Sequence, residues 1–178
     1  MFKDKWLIWK LKQGSSDALC HIYKKYKANM LALAIALSND KSFAEDIVHD
    51  CFVSFAGCCC KLELKTSLRS YLLTSVANRV RNIGRDRIKS AIDIDEIDIA
   101  DSYSNQPPKQ AMDNERVREI NSALHQLPFE QREIIILHLH SGLKFKEIAE
   151  SQKVSINTIQ SRYRYGIDKL RLVLDSEI

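Results

Sequence analysis

The chain has 178 residues, 45% of them hydrophobic, and a formal net charge of +4. This length accommodates one domain or two small ones. Only five Gly and three Pro occur, and apolar residues recur at helical period, which predicts an all-α protein. The longest apolar run, residues 30–37, is too short to cross a bilayer, and Lys interrupts the amino terminus too often for a signal peptide. We therefore expect a cytoplasmic protein without membrane insertion.

Charge is distributed unevenly along the chain. Residues 1–91 hold 16 Lys and Arg against 8 Asp and Glu, residues 92–114 hold one Lys against six acids, and residues 115–178 hold ten basic against nine acidic residues. The alternating IDIDEIDI at 92–99 is strand-like, but no second strand is predicted to pair with it. We predict two small helical domains, 1–90 and 114–178, joined by a flexible acidic linker at 91–113.

Two amphipathic helices are predicted in the first 57 residues. Ser16 precedes the first, which ends at residues 38–40. Residues 42–45 (Ser-Phe-Ala-Glu) have the spacing of a capping box and open the second, which Gly57 ends. The second helix carries Asp46, His49 and Asp50 on its flank and outer face, where the pattern by itself indicates a solvated surface. The apolar stripes comprise Leu19, Ile22, Tyr26, Met30, Leu33 and Leu37 in the first helix, and Ile47, Val48, Cys51, Phe52 and Phe55 in the second.

A loop at 58–67 leads to a third helix that begins at Leu68 and has Thr66 or Ser67 as its N-cap. Its predicted buried residues are Leu72, Val76, Val80 and Ile83. Its other faces carry Arg69, Asn78, Arg79, Arg81, Asn82 and Arg85, with Arg87 and Lys89 just beyond. This density of Arg with two Asn favours phosphate neutralisation with some base contact. A basic solvated face is the alternative.

The five cysteines do not indicate a disulfide framework, because their number is odd and three are adjacent at 58–60. Adjacent side chains point in different directions, and His138 and His140 face roughly opposite sides of a helix. No phosphate-cradling glycine loop, HExxH or nucleophile motif is present. We therefore predict no metal, no cofactor and no enzyme activity. A small enzyme that uses Cys58, Cys59 and Cys60 with a His is the alternative from another class.

The carboxy-terminal segment has the pattern of a helix-turn-helix. After the break at Leu127-Pro128, helices are predicted at 129–141 and 145–151, with Gly142 ending the former in a left-handed conformation. The latter helix turns Ile148 and Ala149 inward. A tight turn at 152–154 follows, and Ser155 is the predicted N-cap of a long third helix.

One face of this third helix is apolar and the others are polar and basic. The apolar face consists of Ile159, Tyr163, Ile167, Leu170 and Leu174. The residues predicted to lie elsewhere are Asn157, Gln160, Ser161, Arg164 and Tyr165, with Arg162 on the flank. In a helix-turn-helix, such a leading end enters the major groove. An ordinary helical hairpin with a solvated face is the alternative.

With both halves in view, the chain resembles the extracytoplasmic-function (ECF) sigma factors of bacterial RNA polymerase. The amino-terminal half matches the family at Ala18-Leu19, Tyr23, Tyr26, residues 44–52, Tyr71-Leu72 and Asn78. The carboxy-terminal half matches it at Leu127-Pro128, Arg132, Gly142, Glu147-Ile148-Ala149, Ser155, Thr158-Ile159, Ser161-Arg162, Arg164 and Leu170-Arg171.

The resemblance implies a role for each part. Asp46, His49 and Asp50 would dock on the clamp helices of the largest subunit of core RNA polymerase, which reverses the solvated-surface interpretation. The carboxy-terminal domain would also meet the flap of the second-largest subunit. An anti-sigma factor is a further potential partner. Promoter DNA would be contacted at the minus 10 element by Leu62, Thr66, Asn78, Arg79, Arg81, Asn82 and Arg85, and at the minus 35 element by Ser155, Asn157, Thr158, Gln160, Ser161, Arg162, Arg164 and Tyr165.

Several positions depart from the family pattern. Leu62 stands where the loop is usually aromatic, and His49 replaces a usual Gln. Lys144 replaces the Ser or Thr that normally caps the first helix of the motif, a loss of about 1 kcal/mol. Tyr165 occupies a position where Arg or Ala-rich sequence is common, which leaves the upstream base preference open. A stand-alone helix-turn-helix regulator that binds a palindromic duplex without polymerase is the alternative function.

Overall fold

The computed structural model describes residues 2–59, 63, 64, 66–92 and 114–175. Within these residues the chain forms helices and turns but no strand, which confirms the predicted all-α class. The chain divides into two compact units, residues 1–101 and 102–178. Apart from the helix end at 91–92, the predicted acidic linker lies outside the described residues, and so does Leu62. The domain boundaries at 90 and 114 stay a prediction.

The amino-terminal unit consists of helices α1 (Phe2–Lys12), α2 (Ser16–Ser38), α3 (Lys41–Cys58) and α4 (Leu68–Ile92). The long helix α2 packs against α1, α3 and α4. The predicted apolar stripes form this core, except that Leu19 on α2 and Ile83 on α4 are only half-buried. The fully buried side chains at the centre are Ile22, Met30, Leu33, Leu37, Ile47, Phe55, Leu68, Leu72 and Leu73.

Three predicted helix ends in this unit are wrong. Ser15, not Ser16, caps α2, because its Oγ accepts a hydrogen bond from the Ala18 amide at 3.4 Å. Asp40 caps α3 by accepting from the Phe43 amide at 3.0 Å, which leaves Ser42 inside the first turn and excludes the predicted capping box. Gly57 does not end α3, which continues to Cys58. An Asp at the N-cap also interacts favourably with the helix dipole.

The carboxy-terminal unit consists of α5 (Asn114–His125), α6 (Phe129–Ile135), a π-helical segment (Ile136–His140), α7 (Phe145–Gln152) and α8 (Ile156–Asp175). The single α-helix predicted at 129–141 therefore widens into a π-helix over its last turn. The Ser141 amide donates to the Ile136 carbonyl at 3.0 Å, a five-residue step that an α-helix does not make. Gly142 then adopts the predicted left-handed conformation, with φ 65°.

Two buried charged side chains in this unit, Glu133 and Arg132, have hydrogen-bond partners. The Gln152 amide donates to the Glu133 carboxylate at 3.2 Å. The Arg132 guanidinium donates to Nδ1 of His125 at 2.7 Å. Burial, with the charge of Arg132 as a smaller cause, lowers the pKa of His125 to about 4. The neutral imidazole is therefore the form that this unit accommodates. Along the described part of the chain, no helix has the length and apolar character needed to span a membrane.

Candidate nucleic-acid interface

Helix α8 presents a continuous polar stripe to solvent. Ser155 caps the helix as predicted, because its Oγ accepts a hydrogen bond from the Thr158 amide at 3.1 Å. Since successive residues lie about 100° apart around the helix axis, Asn157, Gln160 and Arg164 fall on one side. All three are exposed. Of the other predicted minus 35 residues, Ser155 and Tyr165 are also exposed, and Thr158, Ser161 and Arg162 are half-buried.

The opposite side of α8 is held against the rest of the unit at very close range. Ile159 and Gly166 are buried there. A Cβ placed on Gly166 would lie 2.9 Å from Cδ1 of Ile135 and 3.2 Å from Cβ of Gln131, so only glycine permits this approach of α6 and α8. Gly166 was not predicted as a site residue, because the only sequence signal is a glycine within a helical pattern.

An aromatic cluster completes the support of α8. The ring of His138 stacks on Phe145 with centroids 4.2 Å apart, and Tyr163 meets His138 edge-on at 5.3 Å. Nδ1 of His138 lies 2.8 Å from the carbonyl oxygen of Leu143, so the ring can donate its hydrogen there. These contacts join the π-helical segment, α7 and α8. They fix the direction in which the polar stripe faces.

The turn between α7 and α8 is tight, as predicted. Lys153 adopts a left-handed conformation with φ 56°, and the Val154 amide donates to the Ala149 carbonyl at 3.1 Å. At the start of α7, the Glu147 carboxylate accepts from the Lys144 amide at 2.9 Å. This bond offsets part of the loss expected from a lysine at the cap. Helices α7 and α8 therefore form a helix-turn-helix.

In the amino-terminal unit, α3 and α4 border an open pocket of about 250 Å³. The Arg79 guanidinium donates to the Asp50 carboxylate at 2.6 Å across its rim, with 50% and 47% of the two side chains exposed. Asn78 accepts from Arg81 at 3.1 Å. The ion pair thus joins Asp50, a predicted polymerase contact, to Arg79, a predicted minus 10 residue. The pocket is lined by Asp50, Cys51, Ser54, Phe55, Tyr71, Ser75, Asn78, Arg79 and Asn82.

Burial favours the neutral form of two ionisable groups in this pocket, the Cys51 thiol and the Tyr71 hydroxyl. It raises the pKa of the Cys51 thiol to about 11. Burial, with the neighbouring Cys58 thiol as a smaller cause, raises the pKa of the Tyr71 hydroxyl to about 12. A protonated thiol is a weak nucleophile, so the pocket offers polar and charged groups for binding rather than for reaction. Thr66 is half-buried and Arg85 exposed, and neither lines the pocket.

A second groove of about 360 Å³ lies on the other side of α3, against α2. His49 lines it together with Phe52 and Val53, and Val53 is 59% exposed. Asp46 is exposed on the same helix. The predicted docking residues therefore divide, because His49 faces the apolar groove and Asp50 faces the polar pocket. The sequence analysis did not assign Leu19, Tyr23 or Val53 to a site, although all three line this groove. Their signal is an apolar position at the edge of a helical stripe.

The four cysteines that the structure describes differ in exposure. Cys51 and Cys59 are buried, whereas Cys20 and Cys58 are exposed. No group of three or more His, Cys, Asp or Glu side chains in the described ranges is placed to hold a metal ion.

Comparison with known proteins gives a consistent result. The family model for sigma-70 region 4 matches residues 118–170, which include α7 and most of α8. The ECF RNA polymerase sigma factor SigX of Bacillus subtilis is 27% identical over 84% of this chain and 80% of its own length. The ECF RNA polymerase sigma factor EcfG of Rhodopseudomonas palustris is 28% identical over 82% of this chain and 79% of its own.

Solved structures agree with the sequence relatives. The sigma factor RpoE, in complex with the anti-sigma factor NepR from Bartonella quintana, superimposes with a TM-score of 0.72. It is 26% identical, over 87% of this chain and 95% of that one. CnrH in complex with the cytosolic domain of CnrY has a TM-score of 0.73 at 18% identity over 99% of both chains, a likeness of fold.

The chain thus combines a helix-turn-helix, whose second helix has an exposed polar stripe, with a helical unit that holds a polar pocket and an apolar groove. Over most of its length it is similar to sigma factors of RNA polymerase. Together these comparisons support an ECF sigma factor of the sigma-70 family.

Proposed function

We propose that this chain directs promoter-specific transcription initiation by binding core RNA polymerase and the minus 10 and minus 35 promoter elements. One observation carries the proposal: helix α3, which exposes Asp46, borders an apolar groove on one side and an Asn- and Arg-containing pocket on the other. A stand-alone regulator needs its helix-turn-helix, but it has no need for this paired arrangement in a second unit.

The groove beside α2 is the proposed docking surface for the clamp helices of the largest polymerase subunit. Val53 supplies exposed apolar area at its edge, and His49 and Asp46 supply the polar rim. An apolar centre with a polar rim is the usual anatomy of a protein interface. An amphipathic helix laid into such a groove would bury its apolar face there.

The pocket between α3 and α4 is the proposed site for the unpaired strand of the minus 10 element. Asn78 and Asn82 can hydrogen-bond a base edge, and Arg79 and Arg85 can pair with phosphates. Arg79 is held by Asp50, but an ion pair this exposed contributes at most about 1 kcal/mol, so phosphate can displace the carboxylate. Arg81, Thr66 and Leu62 remain proposed contacts of the same strand.

Helix α8 is the proposed reader of the minus 35 element in the major groove. Ser155 and the first amides of the helix face a phosphate, since a helix N-terminus favours an anion. Asn157, Gln160 and Arg164 project from the turns that reach base edges. Ser161, Thr158 and Tyr165 stand beside them, and Arg162 lies on the flank towards the backbone.

The remaining partners are proposed from the family. The flap of the second-largest polymerase subunit would meet the carboxy-terminal unit. An anti-sigma factor is a further partner, because the similar RpoE is bound to the anti-sigma factor NepR. The chain would act in the cytoplasm, where polymerase is, and would carry out no catalytic step of its own.

Co-purification with core RNA polymerase tests the proposal. The wild-type chain should retain polymerase at low salt, and Asp46→Arg should abolish this without unfolding the protein, because Asp46 is exposed. Asp175→Arg is the matched control, since it makes the same charge change on an exposed residue at the end of α8. Equal retention by Asp46→Arg and the control would contradict the docking assignment. No retention by the wild type would favour the stand-alone regulator.

A further inference from the structure

Arg164 and Tyr165 form an exposed pair on α8. The guanidinium carbon of Arg164 lies 5.4 Å from the centroid of the Tyr165 ring, within the range of a cation–π interaction. The core does not use this ring, because Tyr165 is 59% exposed while Ile159 and Gly166 occupy the buried side of the helix. The aromatic side chain is therefore available to its arginine neighbour.

The kind of partner decides what Arg164 can still bind. A carboxylate would occupy the in-plane N–H groups of the guanidinium, whereas an aromatic ring attracts the cation and leaves those donors free. Asp168 lies one turn further along α8 and could have been that carboxylate. Among the residues that the structure describes, however, Arg164 has no ion pair. Its planar donor fork thus remains open towards solvent.

We propose that Tyr165 is a positioning residue that holds Arg164 ready for bidentate recognition of a guanine in the upstream promoter element. The inference rests on the proposed function, which places this face of α8 in the major groove. Guanine presents two adjacent acceptors there, O6 and N7, which match the fork of an arginine. Asn157 and Gln160 lie on the same stripe and would read neighbouring base pairs. The ring of Tyr165, and not its hydroxyl, supplies the effect.

Binding of labelled upstream duplexes by the full chain, free and assembled with core polymerase, tests this assignment. A duplex library measured with wild type and Arg164→Ala first locates the base pair that Arg164 reads. The affinity for guanine at that position is then compared with that for 7-deazaguanine, which lacks N7, and for the other bases. The variants are Tyr165→Phe, which keeps the ring, and Tyr165→Leu and Tyr165→Ala, which remove it. Leu172→Ala truncates another exposed side chain on α8 and serves as the control.

We expect guanine at the position located with Arg164→Ala. In that variant, affinity for the guanine duplex should fall by between about fivefold and about a hundredfold. Tyr165→Leu and Tyr165→Ala should weaken binding to the guanine duplex about two- to fivefold and leave the other duplexes unchanged. Tyr165→Phe and Leu172→Ala should match wild type. Replacing guanine with 7-deazaguanine should reduce the affinity of the wild-type chain by a larger factor than it reduces the affinity of Tyr165→Ala.

Three results would overturn this inference without refuting the proposed function. They are equal weakening of all duplexes by Tyr165→Ala, a loss in Tyr165→Phe as large as in Tyr165→Ala, and a preferred base other than guanine at the Arg164 position. Absence of any upstream sequence preference in the wild-type chain, both free and with polymerase, would instead refute the proposed function and this inference with it.

Discussion

Gly166→Ala should destabilise the carboxy-terminal unit, although alanine is the better helix former. The new Cβ would lie 2.9 Å from Cδ1 of Ile135 and 3.2 Å from Cβ of Gln131. The Ile135 methyl is the end of a side chain, but Ile135 is only 3% exposed and has little room to turn. The Gln131 Cβ is attached directly to the backbone of α6. Both helices must therefore move apart by a few tenths of an ångström.

Two opposing terms set the size of the effect. Replacing a mid-helix glycine by alanine contributes about 1 kcal/mol of stability through helix propensity. Overpacking a close helix crossing costs about 1–3 kcal/mol. We expect a net loss of about 1 kcal/mol, which lowers the melting temperature of a domain this small by about 4–8 °C. Because α8 carries the polar stripe, binding to upstream duplexes should weaken as well.

Gly84→Ala is the matched control, because Gly84 also lies inside a helix, α4, and its new Cβ would meet nothing within 4 Å. Here the propensity gain stands alone, so the amino-terminal unit should gain up to about 1 kcal/mol. Both tryptophans of the chain lie in α1, so their fluorescence follows unfolding of the amino-terminal unit. Hydrogen exchange of peptides from α6 and α8 follows the other unit. Gly166→Ala as stable as wild type would refute the close-approach argument.

Four further predictions concern the two interfaces and pH. Asn78→Ala should impair open-complex formation on a duplex promoter more than upstream-element binding, and equal losses in both assays would indicate misfolding instead. Arg164→Ala should cost about 1–3 kcal/mol and alter base preference at one or two positions. Arg162→Ala should weaken all sequences equally and lower the salt slope by about one, so a changed sequence preference in that variant would contradict the placement of α8. The lowered pKa of His125, about 4 against 6.5, means that the unfolded chain binds the proton more readily, so stability falls as pH drops from about 6.5 to about 4. Chemical denaturation across that range should show the free energy of unfolding of the wild type falling with pH. In His125→Gln this pH dependence should be weaker.

Much of the local structure could be predicted because its causes lie within a few residues. Ser155 caps α8 through the amide three residues later, and Gly142 ends its helix through its own positive φ. The polar stripe of α8 follows from the helical repeat alone. Local signals compete, however, when they are close together. Asp40 and Ser42 could both cap a helix, and the carboxylate prevailed at the position where the chain leaves its extended conformation.

The sequence by itself determined most of the helices, the helix-turn-helix and the outward-facing residues of α8, because hydrogen bonds and side-chain periodicity within one helix depend on neighbouring residues. Only the tertiary structure decided which helices meet and at what distance. It joined Asp50 to Arg79 across two helices and 29 positions, separated His49 from Asp50 into different clefts, and required a glycine where α6 crosses α8. Such contacts depend on how helices cross, and the crossing is set by the packing of the whole core rather than by any local pattern.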